Sequence, residues 1–221
     1  AFDLSIEAQR VKPDKIIIVN NGADVKGNTN LIEKEAARKK LDILLSDKVI
    51  IFIGAYYKPN IEALKFISDN LSADLKDFKF LIVGTVCDFL KHQALTENII
   101  LLGQVSEEQL DVALRASDIA INPMFEGSGI NIKMLDYMSY GLPIVTTECG
   151  GRGIETYGKH PMIVSAIDDF SENIKILNSD TQLYKRMSED GRSLIAQRYD
   201  WKMISDKLQE VIMERFRSIS R

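Results

Sequence analysis

The chain has 221 residues, 45% of them hydrophobic and 27% charged, with a net charge of -4. That composition belongs to a globular protein of one domain, and the acidic balance removes the electrostatic case for nucleic-acid binding. No stretch approaches the roughly 18–20 consecutive apolar residues of a membrane-spanning helix, and the first ten residues lack the basic-then-apolar order of a signal peptide.

Short apolar runs at 16–19, 49–53, 80–83, 98–102, 118–121, 143–146 and 162–164 alternate with helical patterns at about 30–45, 60–75, 106–117, 130–140, 169–178, 181–197 and 202–217. Most of the runs are solid rather than alternating, as expected of strands covered on both faces of a parallel sheet. The alternation predicts βαβ units and an α/β fold, a Rossmann-like doubly wound parallel sheet spanning 1–221. Ser106 and Gln109 form a capping box pattern, and Pro59 fits a first helical position. Both helix starts follow strands, which places them at the carboxyl edge of the sheet, where ligands of such folds bind. The last helix, opened by Trp201, either braces the domain or crosses to a neighbouring one.

The stretch 122–137 carries the chemistry. It leaves a strand, passes Glu126, Gly127, Ser128, Gly129, Ile130 and Asn131, and opens a helix containing Lys133 and Asp136. Glycines let backbone N–H groups approach a ligand, and a helix start favours anions, so the loop reads as a diphosphate cradle. Lys133 in a first helical turn opposes the helix dipole, a penalty that a bound phosphate reverses. Asp136 stands among Ile132, Met134, Leu135 and Met138, where a carboxylate needs a partner. A ribose diol is one such partner, and a salt bridge to Lys133 is the other. Glu126 is either an exposed loop acid or a grip on sugar hydroxyls beyond the phosphates. Lys58, at another helix start, is either solvated or the second cation of an anion site.

The G-x-G-x-x-G fingerprint and the Walker A lysine are missing. The segment 150–153 reads as a flexible loop that touches the ligand or simply turns the chain. His92 and His160 read as surface or structural residues, Cys87 and Cys149 as free, inert thiols of a reducing compartment. No metal site is expected.

Together these residues carry a resemblance. The run 122–147, with Glu126, the glycine loop, Asp136 and Gly141-Leu-Pro-Ile-Val-Thr, resembles the signature of the glycosyltransferase group 1 (family 4) proteins, retaining enzymes of the GT-B fold. Upstream, Asn20-Asn-Gly22-Ala-Asp24, Gly54 with Pro59-Asn-Ile-Glu-Ala-Leu, Phe80-Leu-Ile-Val-Gly84 and Ile100-Leu-Leu-Gly103 are similar too, as is Tyr199-Asp-Trp201 with its helix. The resemblance implies one half of a GT-B architecture: the donor-binding domain, with 1–15 as interdomain linker, about 200–221 as closing helix, and the acceptor-binding amino-terminal domain absent from the chain. The chain is then either a piece cut from a longer protein or a natural stand-alone half, and its start at Ala1 favours the first.

The resemblance further implies a hexosyltransferase acting in cell-surface polysaccharide or glycolipid synthesis, inactive without the other domain. It requires no cofactor, and its substrate is a UDP- or GDP-linked sugar. The acceptor is a saccharide or lipid-linked molecule met through the missing half. The implied location is the cytoplasm, with membrane contact, if any, through that half. Glu126 takes the catalytic position at the donor sugar. Lys58, Gly127, Ser128, Gly129, Ile130, Asn131 and Lys133 meet sugar and diphosphate, Asp136 the ribose, and Gly84, Thr85, Gly103, Gln104 and Val105 the base. Two departures stand out: the second acid is Asp rather than Glu and lies further from the first, and Ala55-Tyr56 replaces the arginine often found after the first glycine. The alternatives are a non-catalytic nucleotide-sugar-binding or scaffold module and an epimerase-like enzyme.

Overall fold

The computed structural model describes residues 16–27, 29–127 and 129–219. The expected linker 1–15 and Ser128 lie outside the described residues. Helix α1 (Leu31–Lys40) precedes β1 (Lys48–Ile53), α2 (Lys58–Phe66) and the short α3 (Ser72–Asp74). The chain continues through β2 (Phe78–Val83), β3 (Ile99–Gly103), α4 (Glu107–Ala116), β4 (Ile119–Asn122), α5 (Lys133–Ser139) and β5 (Ile144–Thr146). It ends with α6 (Glu148–Gly151), β6 (Met162–Val164), α7 (Phe170–Ser179), α8 (Thr181–Leu194) and α9 (Trp201–Ile219).

The strands form a six-stranded, wholly parallel sheet in the order β3-β2-β1-β4-β5-β6. This is the doubly wound Rossmann order, whose reversal point falls between β1 and β4. The solid apolar runs have a simple cause. Ile50 and Phe52 face one core with Ala63 and Leu64 of α2 and Phe170 and Ile174 of α7. Val49 and Ile51 face the other core with Leu114 of α4 and Met134, Leu135 and Tyr137 of α5. Alternate residues thus go to opposite, equally buried faces.

One expected strand does not form. Residues 16–19 join no ladder, and Ile17, Ile18 and Val19 are exposed. An apolar run records a preference for burial, whereas a strand also needs a partner ladder, and among the described residues neither sheet edge, β3 or β6, is extended by this run. The local expectations for helix starts hold. Ser106 and Gln109 close the capping box of α4, and Pro59 sits within the first two positions of α2. The expected 60–75 helix is continuous but widens to a π turn at Ile67–Leu71, and a second π turn, Ile195–Tyr199, ends α8. The segment 150–153, expected to be a flexible loop, begins instead inside α6, capped by Thr147 Oγ1, which accepts from Gly150 N at 3.1 Å. Among the described residues no helix is long and apolar enough to cross a membrane.

Ala23 bridges to Asp200, so the chain just upstream of α1 pins the root of α9. Gly22 is needed there, because a Cβ would come within 2.8 Å of the Trp201 ring and of Tyr199 O. Beyond that root, none of the α9 side chains described is buried.

Candidate functional site

At the β1/β4 reversal point, where folds of this order leave a crevice, several of the expected site residues come together. The loop after β1 delivers Lys58, and the loop after β4 delivers Glu126. Their side chains meet as an ion pair at 3.0 Å, with Glu62 3.6 Å from the same ammonium. Contact with Glu126 raises the pKa of Lys58. The two expected ligand-binding groups thus pair with each other.

Lys133 opens α5 and turns toward β1 and α2. Its Nζ donates to Asn60 Oδ1 at 2.9 Å and lies 4.5 Å from the centre of the Phe52 ring. Among the described residues no carboxylate is within ion-pairing distance of it, so the salt bridge to Asp136 does not form. Burial alone pushes its pKa down to about 7. Its neighbours, an amide oxygen and a ring face, supply no counter-charge.

Asp136, one turn along α5, has its carboxyl pushed up to about 6 by burial, with Lys26 opposing and Asp24 reinforcing that shift. Lys133 and Asp136 are thus displaced in opposite directions, each toward its neutral form, a pattern common at ligand sites.

The loop between Glu126 and α5 is held from outside. Arg152 Nη1 donates to Gly127 O at 2.8 Å, and Asn131 Nδ2 donates to Gly150 O at 3.1 Å. Gly150 also accepts from Asn122 Nδ2 at 3.0 Å, and a Cβ on it would lie 2.3 Å from Thr146 Oγ1. Gly153 (φ +80°) sits against Ile130, to which a Cβ would approach within 2.6 Å. Gly127 takes φ +149°. Gly127 and Gly129 face open space, with nothing within 4 Å of a Cβ built on either.

The expected base-binding loops reach the same edge. Gly84 N donates to Gly103 O at 2.7 Å, joining the ends of β2 and β3. Thr85 Oγ1 accepts from Tyr56 N at 2.7 Å, tying that loop to the one carrying Lys58. Gly84 (φ +102°) leaves no room for a side chain, since a Cβ would lie 2.2 Å from Gly54 O. Gln104 is exposed, and Val105 lines a cavity of about 330 Å³ with Lys40, Leu41 and Gln109. A larger cavity, about 590 Å³, opens at the opposite edge beside Lys48, Phe78 and Lys175, away from these groups. Among the described residues no cluster of His, Cys, Asp and Glu is suited to a metal ion.

Sequence reasoning assigned no role to Asn60 or Phe52, which hold Lys133, and left Arg152 as one option in a loop. Asn60 had a faint signal, a polar residue beside Pro59 at a helix start on the carboxyl edge.

A family model described as glycosyl transferases group 1 matches residues 47–180. The chain is 27% identical over 173 residues to a phosphatidyl-myo-inositol mannosyltransferase of Mycobacterium leprae, covering 74% of this chain and 46% of that protein. It is 28% identical over 195 residues to an uncharacterized glycosyltransferase of Methanocaldococcus jannaschii, covering 83% of this chain and 50% of that protein. The chain thus spans about half the length of the curated relatives it matches. In structure it is similar to HepE of Anabaena, solved with UDP and glucose, with a TM-score of 0.75 at 15% identity, covering 94% of this chain and 59% of that one. It is also similar to the C-terminal domain of a group 1 family glycosyl transferase (LpcC) from Francisella tularensis, with a TM-score of 0.59 at 15% identity, covering 81% of this chain and 100% of that one. At such identities the structural likeness speaks to the fold.

Proposed function

The chain belongs to the group 1 glycosyltransferases, and from that premise we propose that it is the donor-binding domain of a retaining hexosyltransferase that takes its sugar from a nucleoside diphosphate. The observation that carries this reading is the meeting, at the β1/β4 reversal point, of Lys58, Glu126, the uncompensated Lys133 and the strapped 127–131 loop. Two cations and open backbone fit a diphosphate, and a carboxylate beside them fits sugar hydroxyls. Support for a domain of this extent comes from the C-terminal domain from Francisella, which the chain covers completely, and from the half-length coverage of its relatives. Support for a UDP- or GDP-linked hexose comes from HepE with UDP and glucose, and from the mannosyltransferase relative.

The chemistry follows from charge. Cleaving the anomeric C–O bond builds positive charge on the sugar and negative charge on the leaving diphosphate. Lys58, Lys133 and the loop N–H groups stabilise the diphosphate as the bond breaks, an electrostatic role of the oxyanion-hole type. Glu126 must first exchange Lys58 for sugar hydroxyls, and Lys58 then turns to the diphosphate. Asp136 holds the ribose, and the loops holding Gly84, Thr85, Gly103, Gln104 and Val105 hold the base. The acceptor, a saccharide or lipid-linked molecule of cell-surface synthesis, enters through an amino-terminal domain. Closure of that domain, aided by α9, excludes water.

Calorimetric titration with UDP, GDP and their hexose conjugates tests the reading. One nucleotide series should bind, and Asp136→Ala should weaken every member of it. Transfer rates unchanged by Glu126→Ala in the intact enzyme would overturn the role given to that residue.

A further inference from the structure

Asn60 is the third residue of α2 and is 9% exposed. Its amide has one orientation compatible with its neighbours. Nδ2 donates to Ala55 O at 3.0 Å, and Oδ1 accepts from Lys133 Nζ at 2.9 Å. A carbonyl cannot donate and an ammonium cannot accept, so flipping the amide would break both bonds. Gly54 makes the space, since a Cβ there would stand 3.2 Å from Asn60 Cβ and Cγ.

What faces Lys133 is neutral throughout. Phe52 of β1 offers its ring, and Asn60 of α2 offers an amide oxygen. The nearby acids are engaged elsewhere: Glu126 and Glu62 by Lys58, while Asp136 on the same helix lies in the fields of Lys26 and Asp24. A carboxylate at position 60 would reach the same ammonium and cancel its charge. The amide, of nearly the same shape, holds the ammonium and leaves the charge intact.

The geometry assigns Asn60 the role of a positioning residue: it fixes Lys133 Nζ at the β1/β4 crevice as a net cation for the diphosphate of the ligand. This rests on the proposed donor-binding role of the crevice and of Lys133. Because burial also holds Lys133 near the edge of deprotonation, at about 7, diphosphate binding weakens as pH rises above 7, and a carboxylate at position 60 removes that dependence.

The test is titration of the chain and of Asn60→Asp, Asn60→Ala and Lys133→Met with UDP and with GDP at pH 7, 8 and 9, with circular dichroism and thermal melts to confirm folding. Asn60→Asp is expected to weaken nucleotide binding about tenfold at pH 7 and to leave it flat from pH 7 to 9. Asn60→Ala, which frees the ammonium without neutralising it, is expected to weaken binding a few-fold, about threefold, and to keep the pH dependence. Asn60→Asp binding within twofold of the unaltered chain, with its pH dependence unchanged, overturns the positioning role alone. Lys133→Met binding as tightly as the unaltered chain overturns the role of Lys133 and that of Asn60 with it. Failure of the unaltered chain to bind either nucleotide overturns the donor-binding reading itself.

Discussion

Replacing Lys133 by methionine removes a buried charge while keeping the length of the side chain, and the structure says what that does to stability. Lys133 has a pKa of about 7 in the folded chain against an ordinary value of 10.5. At about 1.36 kcal/mol per pH unit, holding this lysine at pH 7 costs the fold on the order of 4 kcal/mol. Methionine escapes that cost but leaves Asn60 Oδ1 without its donor, an offset of about 1–2 kcal/mol, and exchanges a desolvated cation–ring contact of about 2 kcal/mol for a sulfur–ring contact of about 1 kcal/mol. The net expectation is a gain of about 1–3 kcal/mol, or roughly 2–10 °C in melting temperature for a chain of this size. Between pH 7 and 10.5 the unfolded chain holds the lysine proton and the folded chain does not, so the contribution of this group to stability rises with pH across that window. Lys133→Met should flatten the rise. The assay is a series of thermal melts from pH 6.5 to 10, paired with nucleotide titration, in which the more stable variant should bind less well. A variant that melts at or below the unaltered chain at pH 7, with the same pH slope, refutes the picture of an uncompensated cation.

Other outcomes follow from the same crevice. Asp136 carries a carboxyl raised to about 6 from 3.8, so between those values the folded chain holds a proton that the unfolded chain has released, and the contribution of this group to stability falls as pH rises. Asp136→Asn should abolish that fall, add about 1–3 kcal/mol at pH 7 and weaken nucleotide binding, read by melts from pH 3.5 to 7 and by titration. Glu126→Ala should weaken the hexose conjugate about tenfold while leaving the bare nucleotide within about twofold, since it frees Lys58 for the diphosphate. Gly84→Ala should cost roughly 2–5 kcal/mol in urea denaturation, because its positive φ and the Gly54 carbonyl both exclude a Cβ. An unchanged urea midpoint in that variant would contradict the packed geometry at the ends of β1 and β2.

Much of this was legible in the residues, and the limit of legibility has a physical shape. The inner strands β1, β2, β4 and β5 announced themselves because a sheet covered on both faces demands unbroken apolar runs, and the capping box of α4 because its two bonds close within three residues. The placement of Glu126, the glycine loop and Lys58 at one sheet edge followed from strand-loop-helix order alone. The partners did not follow. Lys133 had an acid three residues away and went instead to Asn60, 73 residues distant, because α5 turns that face toward the end of β1. Lys58 and Glu126 appeared as separate candidates and became one ion pair, and the segment 150–153 became the strap on the 127–131 loop. The run 16–19 shows the converse, an apolar pattern left outside the sheet. Periodicity and caps are local and are written in consecutive residues. Which cation is left without a counter-ion depends on strand order and side-chain direction, and only the tertiary structure decides those.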